Sequence, residues 1–334
     1  MTKLTRRDFM SDQTIRWCPG CGDYSILAQL QTAMATIGLP KEQYAVISGI
    51  GCSGRLPYYI DAYGFHTIHG RAPAVATGLK LANPELSVWV GTGDGDALSI
   101  GGNHFAHALR RNIDLNIILF NNRIYGLTKG QYSPTSQIGA RTKSSPMGSL
   151  DRPMNPAAFA LGSGATFIAR SVDVLPKDLR QVLVDAHHHK GAAFVEVLQN
   201  CNIFNDGAFA AWTDKDNRAR RICYATAGEP LVWGDDDERY GLVQKGFSLQ
   251  VTRLGDGVTE ADCVVHDPTD EGLAWALAGL IGDDAPLVLG ILYQVEAPIY
   301  DQQVHDQIVQ AQGGLEAEDI HRLLQTSDSF TVRG

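Results

Sequence analysis

Asp94 and Asn122 carry side-chain oxygens 28 positions apart (122 − 94), and each closely follows an apolar run. The run Val88–Thr92 is β-branched, aromatic or small, and Asn116–Phe120 is mostly aliphatic. Both read as buried strands, with a helical segment between them. A strand–helix–strand unit of this length returns its second strand parallel to the first by a right-handed crossover. Asp94 and Asn122 therefore fall together at the carboxyl ends of two strands, where open α/β sheets bind ligands. A hard cation such as Mg2+ suits such oxygens and completes its shell with phosphate oxygens. Gly93 and Gly95 allow close approach of a diphosphate, and amides at the start of a helix favour an anion. A lone GDG is equally well an ordinary polar loop. The pair Asn121-Asn122 at the second strand end tips the reading to a cation site.

Cysteines supply a second chemistry. CPGCG at 18–22 is either a redox dithiol or half of a metal site, and on that pair alone both stand. Ile26, Leu27, Leu30, Ala33, Met34 and Ile37 then mark one face of a helix that Gly38 and Pro40 end. Gly49, Gly51 and Gly54 form a literal GxGxxG after the strand that begins at Ala45. Pro57 spoils the helix that a dinucleotide fingerprint needs, and no acidic residue follows at the ribose position. Cys52 in this glycine-rich turn fits a third thiolate ligand better. Ala192–Leu198 is another buried strand and ends just before Cys201, so four cysteines can converge from three loops. Four thiolates suit a [4Fe–4S] cluster or structural zinc. Cys223 and Cys263 are left as ordinary thiols. His66, His69 and Arg71 precede a helix-like Ala72–Leu81 and suit a polar site wall. His187, His188 and His189 end a helix over Pro176–Lys190 and read as structural.

The elements that position these groups alternate strand and helix over roughly the first 205 of 334 residues. Pro156–Gly162 reads as a helix and Ala165–Ala169 as a strand. Residues 130–156 form a Ser/Thr/Pro/Gly-rich stretch, and long loops beside a site are often functional. Beyond Phe204 the pattern changes: a charged segment, a helix over Asp267–Gly282, a strand over Pro286–Tyr293, and periodicity only at Ile320–Leu324. Residues 206–334 are therefore expected to be an extension packed on the first 205 or on a partner. The net charge of 28 − 37 = −9 excludes a basic nucleic-acid surface, and no apolar run approaches a membrane span. Arg6-Arg7 resembles an export signal but lacks the apolar stretch after it, so a cytoplasmic location is expected.

GDG followed by NN resembles thiamine-diphosphate (TPP) enzymes. CPGCG, GIGCSGR, HTIHGRA, GDGDALSIGGNH and NNRIYGLTKGQ, in this order, resemble the β subunit of 2-oxoacid:ferredoxin oxidoreductases, above all the 2-oxoglutarate enzymes (2-oxoglutarate synthases). The resemblance implies a three-layer α/β/α TPP-binding fold with a mostly parallel sheet and a C-terminal extension. It implies that Asp94, Asn122 and the Ile124 carbonyl hold Mg2+, and that Cys18, Cys21, Cys52 and Cys201 ligate one [4Fe–4S] cluster. Ile50, Gly51, Cys52, Ser53, His69, Gly95, Asp96, Asn122, Gly126 and Leu127 would line the TPP site. Arg55, His69 and Lys129 would stand near the substrate, where an arginine suits the distal carboxylate of 2-oxoglutarate.

The implied reaction is decarboxylation of the 2-oxoacid with TPP as electron sink, single-electron transfer through the cluster to ferredoxin, and capture of the acyl group by coenzyme A. It is reversible, so CO2 fixation onto succinyl-CoA, as in a reductive TCA cycle, is equally open. The activating glutamate of TPP enzymes has no counterpart here, which with the resemblance implies an α or fused γ–α partner; a dimer of α–β units is the expected assembly. Pyruvate or another 2-oxoacid is the alternative substrate. A non-oxidative decarboxylase half with structural zinc is the alternative enzyme.

Overall fold

The computed structural model describes residues 4–255, 257–280, 282, 285–313, 330 and 332. The periodicity at Ile320–Leu324 lies outside them. Eleven strands are present among these residues: β1 (Tyr44–Ser48), β2 (Tyr63–His66), β3 (Ser87–Gly93), β4 (Asn116–Asn121), β5 (Phe167–Val172), β6 (Ala193–Leu198), β7 (Ile222–Ala225), β8 (Val232–Gly234), β9 (Arg239–Lys245), β10 (Ser248–Arg253) and β11 (Leu287–Gln294). Eight form one sheet in the order β2-β1-β3-β4-β6-β5-β11-β7. Its pairings are parallel except β11 with β5. The others form a small antiparallel sheet, β10-β9-β8.

The central strands are buried on both faces, and period-two alternation divides their side chains between two cores. Ala45, Ile47, Val88, Val90, Ile117 and Leu119 face one layer. There α2 (Ala72–Ala82), the short α3 (Asp94–Leu98), α4 (Gly102–Arg110) and α5 (Pro156–Gly162) pack. Tyr44, Val46, Trp89, Ile118, Phe120 and Val195 face the other, under α1 (Asp23–Ile37) and α6 (Pro176–His188). Burying one such aromatic or aliphatic side chain contributes about 1.5–3 kcal/mol. The result is the three-layer α/β/α arrangement expected.

Register sets the site. Ser48 pairs with Gly91, Gly93 with Phe120, and Asn121 with Leu198. Gly49–Cys52, Asp94, Asn122 and Gln199–Cys201 thus leave neighbouring strands at one edge. After β1 the chain makes a 3-10 segment, Ser53–Tyr59 with Pro57 inside, not the α-helix that a dinucleotide fingerprint opens.

Three sequence expectations shift. β5 starts at Phe167 and runs to Val172, because Arg170 is buried against Glu196 at 2.7 Å and so belongs to the strand despite its charge. The helix expected over Asp267–Gly282 is Glu271–Ala278, capped by the Asp270 side chain on the Leu273 amide. The charged region after Phe204 contains β7 and the small sheet, and β7 and β11 complete the main sheet.

Candidate functional site

Four loops enclose a cavity of about 360 Å3 at this edge. Ile50, Gly51, Cys52 and Ser53 come from the loop after β1, and His69 from the loop before α2. Asp94, Gly95 and Asp96 come from α3, and Asn122, Ile124, Gly126 and Leu127 from the loop after β4. Every residue expected to hold TPP or Mg2+ lines this one cavity.

Asp94 is buried, and its Oδ2 accepts hydrogen bonds from the Ser133 and Thr135 hydroxyls, each at 2.5 Å. Burial pushes its carboxyl up to about 6, and these two hydroxyls oppose the shift. They come from the Ser/Thr-rich stretch, which Ser136 also ties to the Arg123 carbonyl at 2.6 Å. The Asn122 Oδ1 accepts from the Ile124 amide at 3.2 Å. Both carboxylate oxygens of Asp96 are engaged: Oδ1 by the amides of Ile50 (3.0 Å) and Gly70 (2.8 Å), Oδ2 by the Thr92 hydroxyl (2.7 Å). Asp96 thereby fixes the loops carrying Ile50 and His69 against the end of β3.

Two glycines are required by close approach. A Cβ on Gly49 would lie 1.7 Å from Asp96 Oδ2, and one on Gly95 would lie 2.1 Å from the Tyr125 ring. Ser53 Oγ is buried and makes no hydrogen bond among the described residues.

The cysteines meet beside the cavity. Cys21 lies near enough to Cys52 and Cys201, and Cys52 to Cys201 and Cys18, for these neighbours to help hold the Cys21 and Cys52 thiols up. A Cβ on Gly126 would stand 3.6 Å from Cys201 Sγ and 3.7 Å from Cys52 Sγ, so this cavity-lining glycine lies against both sulfurs. Burial first, then Asp23 and the neighbouring sulfurs, push the Cys52 thiol up to about 12 and Cys21 higher still. Thiolates here need a positive centre. Cys18 is exposed, Cys223 is buried in the core, and Cys263 Sγ lies 3.5 Å from the Thr259 carbonyl. Among the described residues no three His, Cys, Asp or Glu side chains are grouped as ligands of a single metal ion.

Arg55 lines a second cavity of about 490 Å3, with Arg16, His66 and Tyr58, which shares Ile50, Gly51 and Leu127 with the first. Lys129 is exposed in a left-handed conformation (φ 77°) and lines neither cavity, so the structure does not bring it to Arg55 and His69. Arg71 sits at the start of α2 and also lines neither. His187 and His189 are remote from the site: they contact Ser87 Oγ (3.1 Å) and Thr166 Oγ1 (2.8 Å).

Sequence reasoning missed four residues. Asp23 is buried at the cavity wall, and burial pushes its carboxyl up to about 7. Ser133 and Thr135 were visible only as part of a polar loop. Gln199, fully buried, sits two positions before Cys201, and its amide gives no sign in sequence of what it bonds.

Comparison with known proteins identifies the family. Residues 49–197 match the family model of the thiamine pyrophosphate enzyme, C-terminal TPP binding domain. The chain is 52% identical over 331 residues to the 2-oxoglutarate oxidoreductase subunit KorB of Mycobacterium tuberculosis, covering 98% of this chain and 88% of that one. It is 41% identical over 285 residues to subunit beta of 2-oxoacid:ferredoxin oxidoreductase 1 of Aeropyrum pernix, covering 85% and 89%. A solved structure of 2-oxoglutarate:ferredoxin oxidoreductase from Magnetococcus marinus, with 2-oxoglutarate, coenzyme A and succinyl-CoA bound, superposes with a TM-score of 0.79 at 34% identity, covering 98% of both chains. With a TPP-binding domain, this sheet order and identity along nearly its whole length, the chain belongs to the β-subunit family of the 2-oxoacid:ferredoxin oxidoreductases.

Proposed function

We propose that this chain is the β subunit of a CoA-acylating 2-oxoglutarate:ferredoxin oxidoreductase that binds Mg2+–TPP and one [4Fe–4S] cluster. The observation that carries the reading is the single cavity gathering the loop after β1, Asp94, Asn122 and Cys52, with Cys201 Sγ just behind Gly126. The residues fit both groups. The unpaired Ser53 hydroxyl, beside Gly51 with open space where a Cβ would stand, leaves room for a polar ligand, and Asp94 with Asn122 and the Ile124 carbonyl offers a hard cation oxygen ligands only. TPP, when bound, supplies the electron sink for decarboxylation. The chain holds the cofactor's cation and shapes the cavity, with His69 on its wall. It leaves the short path across Gly126 to the sulfurs free of side chain. A cluster is favoured over zinc by the resemblance to ferredoxin-linked enzymes, in which four thiolates serve electron transfer. The similar Magnetococcus enzyme is described with 2-oxoglutarate and coenzyme A, which supports that substrate pair here. An α-type partner is needed for the missing activating carboxylate, and ferredoxin is the expected electron acceptor. The test is turnover of the copurified complex: succinyl-CoA formed from 2-oxoglutarate with ferredoxin reduction supports the reading, and CO2 release without ferredoxin reduction contradicts it.

Two expected results follow from the site. Ligands must be deprotonated to bind a cation. With its carboxyl raised to about 6, Asp94 is charged above that pH and neutral below it. Apparent Mg2+ affinity therefore falls as pH drops through about 6; Mg2+ titrations between pH 5.5 and 7.5 check this, and a flat profile contradicts it. In the second cavity, Arg55→Leu removes a cation suited to a distal carboxylate. The ratio of kcat/KM for 2-oxoglutarate over pyruvate should fall by roughly 10- to 150-fold, the loss of one charge-assisted hydrogen bond at about 1.5–3 kcal/mol. Competition assays with both substrates measure that ratio.

A further inference from the structure

Gln199 leaves the end of β6 and is completely buried between the two expected cofactor sites. Its surroundings fix its orientation one bond at a time. The Ile124 amide donates to Asn122 Oδ1 at 3.2 Å, so Asn122 must present its NH2 on the other side. That NH2 donates to Gln199 Oε1 at 2.8 Å. The Gln199 NH2 therefore points the opposite way, donating to the Asn200 carbonyl at 2.5 Å and to Cys21 Sγ at 3.3 Å. One backbone amide thus sets the direction of two side-chain amides, and the chain ends on a sulfur.

We propose that Gln199 is a positioning residue shared by both cofactor sites. It holds the Asn122 oxygen toward the cation, and it donates an N–H···S hydrogen bond to Cys21 that raises the cluster's reduction potential. This rests on the Mg2+–TPP and [4Fe–4S] reading above. Hydrogen bonds to cluster sulfurs are among the factors that set potential, since they stabilise the more negative, reduced form. Outer contacts that orient metal ligands typically carry 10–100-fold in metal affinity.

Two variants of the copurified α–β complex separate the two roles. Gln199→Leu removes both the acceptor for Asn122 and the donor to Cys21. Gln199→Glu keeps an acceptor for Asn122 and loses the donor. The readouts are an EPR-monitored redox titration of the cluster without TPP, and Mn2+ binding in the presence of TPP. Gln199→Leu should lower the potential and weaken Mn2+ binding by about tenfold or more. Gln199→Glu should lower the potential while Mn2+ affinity stays within about threefold of the parent. An unchanged potential in Gln199→Glu overturns the proposal. So does an equal loss of Mn2+ affinity in both variants, which would mark a packing role only. Gln199→Glu alone decides the potential if Gln199→Leu fails to fold. An unsubstituted complex without iron would sink the cluster reading first; an iron-replete complex with unmoved variants sinks this inference alone.

Discussion

A Cys18→Ala chain, copurified anaerobically with its partner subunit, will lose its four-iron cluster and with it CoA-dependent reduction of ferredoxin, down to background, while still binding TPP. Cys18 is exposed and does not line the TPP cavity, so its removal should leave that cavity standing. The proposed ligand set includes it, and it lies near enough to Cys52 to help raise that thiol. Cys223→Ala is the control: its thiol is fully buried in the core, away from the site. Its loss should cost stability, on the order of 1 kcal/mol, yet leave iron untouched. Iron and acid-labile sulfide analysis of both variants checks this. A Cys18→Ala complex that keeps about four irons contradicts the ligand assignment.

Asp94→Asn should abolish tight Mg2+–TPP binding, by well over the roughly hundredfold that outer contacts carry, and turnover should fall in step. The same change should not lower the melting temperature of the cofactor-free complex. Asp94 is a buried carboxylate with its pKa raised to about 6. A raised carboxylate opposes folding wherever it is charged, and that cost grows as pH rises above its ordinary value near 4. The neutral amide removes this cost at pH 7.5 while its oxygen still accepts from Ser133 and Thr135. Lost binding with unreduced stability would identify Asp94 as a ligand residue. Lost stability of the cofactor-free protein would make it structural. TPP binding by fluorescence quenching and thermal melts on the same sample measure both.

The legible part of this molecule was its sheet centre. β3 and β4 are buried on both faces, so they read as continuous apolar runs, and the strand ends then located Asp94 and Asn122. Legibility failed where burial and polarity part company. Arg170 pairs inside the sheet with Glu196, so β5 looked as if it ended early. β2, with Tyr63 and Phe65 exposed at the sheet edge, carries no buried face to pattern it. β9 and β10 are half-exposed antiparallel strands joined through Gly246 at φ 64°, and their charged residues hid them. At the site, types and spacing named residues that the structure gathers around one cavity. The contacts that orient them were invisible, because a serine, threonine or glutamine in a loop does not reveal its partner. Asp96 is instructive: sequence placed it at the cofactor, and the structure gives its oxygens to two loop amides and a threonine.

The most direct test of the central claim is one anaerobic preparation with the partner subunit, analysed for iron, acid-labile sulfide, zinc and thiamine together. The oxidoreductase reading predicts about four irons and four sulfides with one TPP per β chain. Zinc in place of iron, with TPP still bound, would contradict electron transfer and leave a non-oxidative decarboxylase half.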